Sequence, residues 1–254
     1  MRRVPETKTY AILGSGRLAT HLSYYLTHSG VTTKCWSRNN DPKFNDLFIF
    51  DNKERLKKTV KYCDAVLVAL CDNALSEMVV QLKNQCDFQK DIVHFSATHE
   101  INGAIGLHPL FSFHQTVLPL SEYEKIPFCE PLEQPGSFQK IFPMLKNPTF
   151  QLSASQRKLY HALLVTSGNF TSLLWKSVEA HFQKDLGLSP DWLHEYKKVI
   201  FHNILENASA APTGPLVRKD TLTIQENLKA LQGQDLEDIY RAFLNQNGFD
   251  GDFL

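Results

Sequence analysis

The chain has 254 residues, with 27 basic and 27 acidic side chains and therefore no formal net charge. This balance gives no sign of a nucleic-acid partner or of binding to an anionic membrane surface, since both require an excess of Lys and Arg. The length predicts one large or two modest domains with a substantial core. The longest wholly apolar run, residues 65–70, is far too short to span a bilayer.

The cysteine and histidine patterns argue against disulfide and metal sites. Five cysteines, an odd number, occur without any C-x-x-C pair, which predicts reduced thiols in a cytoplasmic protein. Ten histidines are present, but none forms the pattern H-E-x-x-H, so we expect no metal. The first residues, 1–8, lack the apolar segment of a signal peptide.

A glycine motif follows the first apolar run of the chain. Residues 10–13 are followed by Gly-x-Gly-x-x-Ala, and apolar residues then recur at helical spacing. A strand, a glycine turn and a helix in succession predict a dinucleotide-binding site, because a pyrophosphate can approach the backbone at the helix N-terminus. The expected cofactor-binding residues are Gly14, Ser15, Gly16, Arg17 and Leu18. The alternative is a glycine-rich turn in an unrelated α/β protein.

The end of the next predicted strand, residues 32–36, distinguishes the two nicotinamide cofactors. An NAD site would place Asp or Glu here, whereas this chain has Ser37, Arg38 and Asn39. A guanidinium and a hydroxyl suit the 2′-phosphate of NADP, which a carboxylate would repel. The sequence therefore favours NADP, with an ordinary surface loop as the alternative.

The strand signals in the first half predict a doubly wound parallel sheet. Residues 64–70 are the clearest buried strand, and Cys71 follows it just before a predicted helix. Residues at the carboxyl end of such a strand face the cofactor, so Leu70 and Cys71 join the expected cofactor-binding residues. Further strands are predicted at residues 91–97, 104–107, 126–129 and 150–152. This alternation indicates the α/β class, in a first domain over residues 1–152.

From residue 153 onward, long helical periodicity predicts an all-α second domain over residues 153–254. Ser153 or Ser155 can cap a helix that extends to about Lys184. Its segment Leu159–Trp175 has no charged residue, so we expect it to be buried on all sides. About a hundred residues can hardly cover such a helix, which predicts a homodimer, with a monomer as the alternative.

Several polar residues are candidates for chemistry. His108 follows a predicted strand and precedes a proline, where it could donate a proton, orient a carbonyl or cap the loop. Ser96 ends another strand, and His161 and Asn169 share the polar face of the long helix. A glycine at position 168, in the middle of the helix, lowers helix stability by about 1 kcal/mol relative to Ala. A ligand or a backbone that approaches closely would explain why glycine is present. A core helix with internally satisfied polar groups is the alternative.

Six short motifs, taken in order, resemble one family: residues 14–17, 94–96, 107–110, 159–162, 168–170 and 213–215. It is a group of NADP oxidoreductases with an N-terminal Rossmann-like domain and a C-terminal helical domain of unknown function. The family is similar to pyrroline-5-carboxylate reductase and to the 6-phosphogluconate and β-hydroxyacid dehydrogenases. The resemblance implies NADP, a helical dimerisation domain like the C-terminal domain of 6-phosphogluconate dehydrogenase, and a cleft between the domains. It implies no particular substrate.

The chain departs from these relatives at two positions. The hydroxyacid dehydrogenases carry a catalytic lysine four residues before an asparagine; with Asn169 as that asparagine, the lysine position is Val165. A Ser-Gly pair of the family is Ser96-Ala97 here, which narrows the room beside the nicotinamide. Without the lysine, His161 and His108 are the expected proton donors, and Asn169 and Ser96 are expected to position the substrate.

The expected function is hydride transfer between NADP and a small carbonyl or imine substrate. Two alternatives would use the same cofactor residues: an imine reductase like pyrroline-5-carboxylate reductase, and a non-catalytic NADP-binding sensor. The expected partners are a small-molecule substrate and a second copy of the chain, without nucleic acid or membrane. Arg218, beside a Gly/Pro loop, could hold a substrate carboxylate or be an ordinary surface arginine.

Overall fold

The computed structural model describes residues 8–37, 48–49 and 53–249. The chain divides into two compact units, Met1–Val165 and Thr166–Leu254. The division comes later than the boundary expected after residue 152, because the first helix of the expected second domain belongs to the first unit. The assignment of domains to functions therefore stays a prediction.

The first unit contains a parallel sheet of strand order β3-β2-β1-β4-β5-β6. Its strands are β1 (Thr9–Leu13), β2 (Thr32–Trp36), β3 (Phe48–Ile49), β4 (Ala65–Val68), β5 (Asp91–His94) and β6 (Ile105–Gly106). Every neighbouring pair in this order is parallel. The order reverses direction between β1 and β4, which confirms the predicted doubly wound, Rossmann-like sheet. Ligands of such sheets bind at this point of reversal, beyond the carboxyl ends of the strands.

Helices α1 (Arg17–His28), α2 (Lys53–Val60) and α3 (Asp72–Gln85) connect the strands of this sheet. Side chains alternate between the two faces along β4: Leu67 joins one buried apolar cluster and Val66 joins another. Leu26 of α1 lies in the first cluster and Leu82 of α3 in the second. Both faces of β4 are therefore covered, as predicted for a buried parallel strand.

A second, smaller sheet of order β7-β8-β9 follows. Its strands are β7 (His108–Pro109), β8 (Phe128–Pro131) and β9 (Thr149–Leu152), with the short helices α4 (Leu120–Tyr123) and α5 (Ser137–Ile141) between them. β7 is antiparallel to β8, which is parallel to β9. The expectation that the later strands continue the main sheet was therefore wrong, because an apolar run identifies a strand without specifying its partner.

The predicted long helix forms as α6 (Ala154–Leu164) and α7 (Phe170–Lys184), joined by a π-helical segment, Val165–Asn169. Ser153 caps α6 as expected, in a capping box. Its Oγ accepts the N–H of Gln156 at 3.4 Å, and Gln156 Oε1 accepts the N–H of Ser153 at 2.9 Å. The start and the end of the helix therefore agree with the sequence, whereas the π-helical segment was not anticipated.

The expectation that this helix is buried on all sides was wrong for the single chain. Leu159, Leu163 and Leu173 are 63%, 60% and 60% exposed, and no side chain of α7, all of which is described, is buried. A periodic apolar face shows which side a helix would bury, but not what covers it. At Gly168, a Cβ would have no described atom within 4 Å, so no closely packed backbone explains this glycine.

In its described part the second unit is helical throughout, as predicted. After α7 it contains α8 (Leu193–Asn207), α9 (Pro215–Arg218), α10 (Thr221–Leu231) and α11 (Glu237–Gln246). Its buried apolar cluster consists of Ile224, Leu228 and Leu244. Over the described ranges of the whole chain, no helix has both the length and the apolar character needed to cross a membrane.

Candidate functional site

The turn after β1 packs directly against the loop after β4. The Gly14 N–H donates to the carbonyl of Trp36 at 2.8 Å, and the Gly14 φ of +134° is one that side chains rarely adopt. A Cβ at Gly14 would overlap the carbonyl oxygen of Ala69. Glycine is required here because other residues disfavour this φ and because a side chain would collide with the backbone after β4.

The N-terminus of α1 is open. Gly16 is its N-cap, in an extended conformation with φ −75°, and in the described part of the chain no side chain caps this helix end. A Cβ at Gly16 would also meet no described atom within 4 Å. The free N–H groups and the positive end of the helix dipole therefore face open space, which suits an anion such as a pyrophosphate.

The expected cofactor residues that the structure describes at the ends of β2 and β4 lie around the same edge of the sheet. Arg17 and Cys71 are exposed, and Cys71 is the N-cap of α3, beside the half-buried Leu70. Ser37 is 4% exposed, directly after β2. Arg38 and Asn39, the two residues expected to bind the 2′-phosphate, lie outside the described residues. The preference for NADP over NAD therefore stays a prediction here.

A group of aromatic and histidine side chains joins β7 to α6. His108 Nδ1 lies 3.1 Å from the hydroxyl oxygen of Tyr160, and the His108 and His161 ring centroids are 6.0 Å apart. The structure thus brings the two predicted proton donors together. Tyr160, which the sequence argument missed, lies next to His161 in the chain and contacts the same histidine.

Burial keeps His108 and Tyr160 neutral. The pKa of His108 falls to about 4, because of burial first and then because of His161. Burial likewise raises the pKa of Tyr160 to about 12. At neutral pH, His108 is thus a hydrogen-bonding imidazole without a positive charge, and a weak source of protons.

Ser96 takes part in a neighbouring polar group. Its Oγ lies 3.0 Å from Nδ1 of His99, and Asp72 Oδ2 lies 3.2 Å from the same nitrogen. Asp72 is the first residue of α3 and also acts electrostatically on His108. The Asp72 carboxylate thus contacts His99, the partner of Ser96, and acts electrostatically on His108.

Asn169 ends the π-helical segment, is exposed and belongs to the second unit. Its predicted role in positioning the substrate stays a prediction. Among the described residues, no cluster of three or more His, Cys, Asp or Glu side chains could hold a metal ion. The five cysteines, all of them described, are free thiols.

Sequence reasoning also missed a buried arginine. Arg157 is 5% exposed and lies four residues before His161, hence on the same face of α6. The four-residue spacing could have identified Arg157 from the sequence, because it places a cation on the polar face of the helix that carries His161. Arg218, the arginine that the sequence singled out, is exposed at the end of α9.

Comparisons with known proteins agree with this architecture. Residues 133–246 match the family described as Domain of unknown function (DUF2520), and no curated protein matches the chain. Among solved structures, a candidate NADP oxidoreductase from Bacteroides fragilis is 20% identical, with a TM-score of 0.78, over 96% of this chain and 99% of that one. The likeness extends across both units.

Two further solved structures share the fold at lower similarity. Pyrroline carboxylate reductase from Plasmodium falciparum, solved with NADP bound, is 8% identical with a TM-score of 0.57, over 95% of this chain and 98% of that one. An imine reductase from Bacillus cereus is 11% identical with a TM-score of 0.55, over 94% of both chains. These matches confirm a Rossmann-like sheet with a helical C-terminal part.

Proposed function

We propose that this chain is a cytoplasmic, NADP-dependent oxidoreductase that transfers a hydride between the nicotinamide and a small carbonyl or imine substrate. The observation that carries the proposal is the Gly14 turn on Ala69 beside the open N-terminus of α1. A dinucleotide needs a close backbone approach and unpaired N–H groups at this edge. The relatives described as NADP oxidoreductase, pyrroline carboxylate reductase and imine reductase support the same assignment.

Of the possible substrates, the neutral His108 favours an imine. NADP supplies the hydride, and the protein supplies orientation and hydrogen bonds. Tyr160 and His108 Nδ1 lie within hydrogen-bond distance. In the tautomer in which the Tyr160 hydroxyl donates, the ring proton is on Nε2 and can orient a substrate. A carbonyl must acquire a proton as it is reduced, whereas an imine can arrive already protonated. An imine therefore demands less acid catalysis from a histidine whose pKa is about 4.

The substitution Gly16→Ala tests the cofactor site with little risk to the fold. The added methyl meets no described atom and the backbone suits alanine, but it stands where the pyrophosphate approaches. We expect the NADPH Kd to rise about tenfold or more, roughly 1.4 kcal/mol, with the unfolding midpoint retained. Gly168→Ala is the matched control, since its methyl is also unobstructed. Equal NADPH affinity in all three proteins, or none in the parent, would contradict the proposal.

The cofactor choice is tested separately at Arg38. If its guanidinium pairs with the 2′-phosphate, Arg38→Ala should weaken NADPH binding by roughly 2 kcal/mol and leave NADH binding nearly unchanged. Calorimetric titration with both cofactors measures the difference. Equal losses, or tighter NADH binding in the parent, would rule out the NADP assignment.

A panel of substrates distinguishes an enzyme from a sensor. NADPH-loaded protein is mixed rapidly with imines, keto acids and aldehydes, and NADPH fluorescence is followed. Oxidation by imines faster than by the matching carbonyl compounds is the expected result. Binding without oxidation in any class would instead support the non-catalytic sensor.

We also propose that the protein is a homodimer whose second units bury apolar helix faces against each other. Leu173 and Phe170 of α7 are 60% and 55% exposed, and apolar faces of this extent commonly mark an interface. Sedimentation should give about twice the 29.0 kDa chain mass. Leu173→Glu should return it to the chain mass, while Tyr62→Glu, at a 70% exposed position of the first unit, should not. A parent protein that sediments at the chain mass would be a monomer, which would contradict the proposed dimer.

A further inference from the structure

The first unit contains a polar cavity of about 440 Å³ beside the edge strand β6. The loop after β5, the end of β8 and the first turns of α6 complete its wall. Its size lies within the range of small-molecule sites. None of its lining residues is among the expected cofactor-binding residues. The cavity adjoins that site, because His99 of its wall contacts Asp72 at the start of α3.

Arg157 lines this cavity with an incompletely paired charge. The residue is 5% exposed, and its Nε is buried without a hydrogen-bond partner in the described ranges. Its Nη2 lies 3.4 Å from Oε1 of Glu100, whose side chain is 61% exposed. Burying a guanidinium costs several kcal/mol unless good partners compensate. One long contact to an exposed carboxylate is weak compensation.

His94 provides a second polar group beside the guanidinium. The residue is 1% exposed, and its Nδ1 is also buried without a partner in the part of the chain that the structure describes. Burial and then the charge of Arg157 lower the pKa of His94 to about 4. The ring is therefore neutral at pH 7 and can donate a hydrogen bond without adding charge.

Gly106 keeps the two side chains close together. A Cβ at this position would lie 2.9 Å from Arg157 Nη1 and 3.0 Å from His94 Cε1. Any larger residue would push the guanidinium or the imidazole away. A buried cation, a neutral donor and a glycine that admits both thus lie side by side in one cavity.

We propose that this cavity binds the carboxylate of a small organic acid, which pairs with Arg157 and displaces Glu100. The planar fork of an arginine matches a carboxylate, and the group now facing the guanidinium is itself a carboxylate. A phosphate dianion fits less well, because Glu100 and Glu133 also line the cavity and a single guanidinium would have to offset all of these charges.

The competing explanation is a structural ion pair between Arg157 and Glu100. Glu100→Gln separates the two explanations. Glu100 is exposed, so the variant should fold, and removing its charge removes the competitor for the guanidinium. We expect propionate to bind Glu100→Gln about three- to tenfold more tightly than the parent. A structural pair predicts a loss of thermal stability and no ligand binding.

The test is an NMR titration of the full chain with propionate, following the Arg157 Nε–H resonance. Saturable shifts with propionate, and none with the neutral isostere propionamide, are expected. Arg157→Met should abolish propionate binding, whereas Arg218→Met, at an exposed arginine, should not. If Arg157→Met does not fold, the comparison of Glu100→Gln with the parent decides.

Three results would overturn the proposal: no saturable propionate binding to the parent or to Glu100→Gln, equal affinity in the two proteins, or tighter binding of inorganic phosphate than of propionate at the same resonance. NADPH binding is measured in the same proteins. Unchanged NADPH affinity in Arg157→Met, together with unchanged propionate affinity in Gly16→Ala, would show that the two sites are independent of each other.

Discussion

The two compact units place their apolar side chains differently. In the first unit Leu67 and Leu82 are fully buried, whereas in the second Leu173, Leu205 and Leu222 are 60%, 84% and 75% exposed. A parallel sheet with helices on both faces covers its own apolar surface. Helices without a sheet need other helices to do so, and the second unit leaves much of this surface uncovered. The first unit covers its own apolar surface, whereas the second exposes apolar faces that the proposed dimer would bury.

Matched truncations of two leucines should produce the largest difference between the units. Leu67→Ala, in the centre of β4, should lower the free energy of unfolding by about 2–5 kcal/mol. Leu173→Ala on α7 should change it by less than about 0.5 kcal/mol at a dilution where the protein is monomeric. Urea unfolding of both variants measures this difference. Equal losses would show that α7 is a core helix after all.

The histidines of the two units should give opposite pH dependences. The pKa of His108 is about 4 in the folded chain and near 6.5 when unfolded, so the unfolded chain binds more protons between these values. Acidification from pH 6.5 to pH 4 should therefore remove up to roughly 3 kcal/mol of stability through this residue. Unfolding measured across this range should show a shallower slope in His108→Gln.

His181 of the second unit provides the contrast. Hydrogen bonds to Asp235 and then Asp185 raise its pKa, so its contribution is present below the unfolded pKa and is lost as the pH rises through the folded value. His181→Gln should reduce the stability at low pH and leave the acid-induced loss due to His108 in place. A steeper stability loss on acidification of His181→Gln is expected; an unchanged profile would count against these ion pairs.

The smallest expected effect concerns the start of α6. Ser153→Ala removes the capping hydroxyl and should cost about 1 kcal/mol. Gln156→Ala removes the other half of the capping box and is the companion variant. Thermal unfolding measures both. No change in either variant would mean that contacts to the rest of the first unit, rather than the cap, hold this helix end.

Much of the first unit could be predicted because its signals are local. The run that ends at Gly14 specifies strand, turn and helix within a few residues, and the apolar run that ends at Leu70 has the length and composition of a buried strand. The positions of β8 and β9 were also predictable, but not their sheet. Strand pairing depends on residues far away in the chain, which apolar periodicity does not identify.

The candidate site, too, was predictable only in part from the sequence. His108 and His161 could be chosen from their neighbours in the sequence, but their proximity and the low pKa of His108 depend on the packing of β7 against α6. Arg157 was not singled out, and His94 entered only as part of the motif at residues 94–96, because an arginine near a helix start and a histidine in a strand are ordinary in a sequence. Their burial makes them informative.

Local sequence features were enough to predict the glycine turn, the buried strand β4, the cap at Ser153 and the end of the helix near Lys184. These depend on backbone freedom, side-chain period and hydrogen bonds within a few residues. The tertiary structure decided which strands pair, which apolar faces stay exposed and which polar groups lose their water. Burial is a property of distant contacts, so Leu173 could be exposed and Arg157 buried against the ordinary expectation for each residue type.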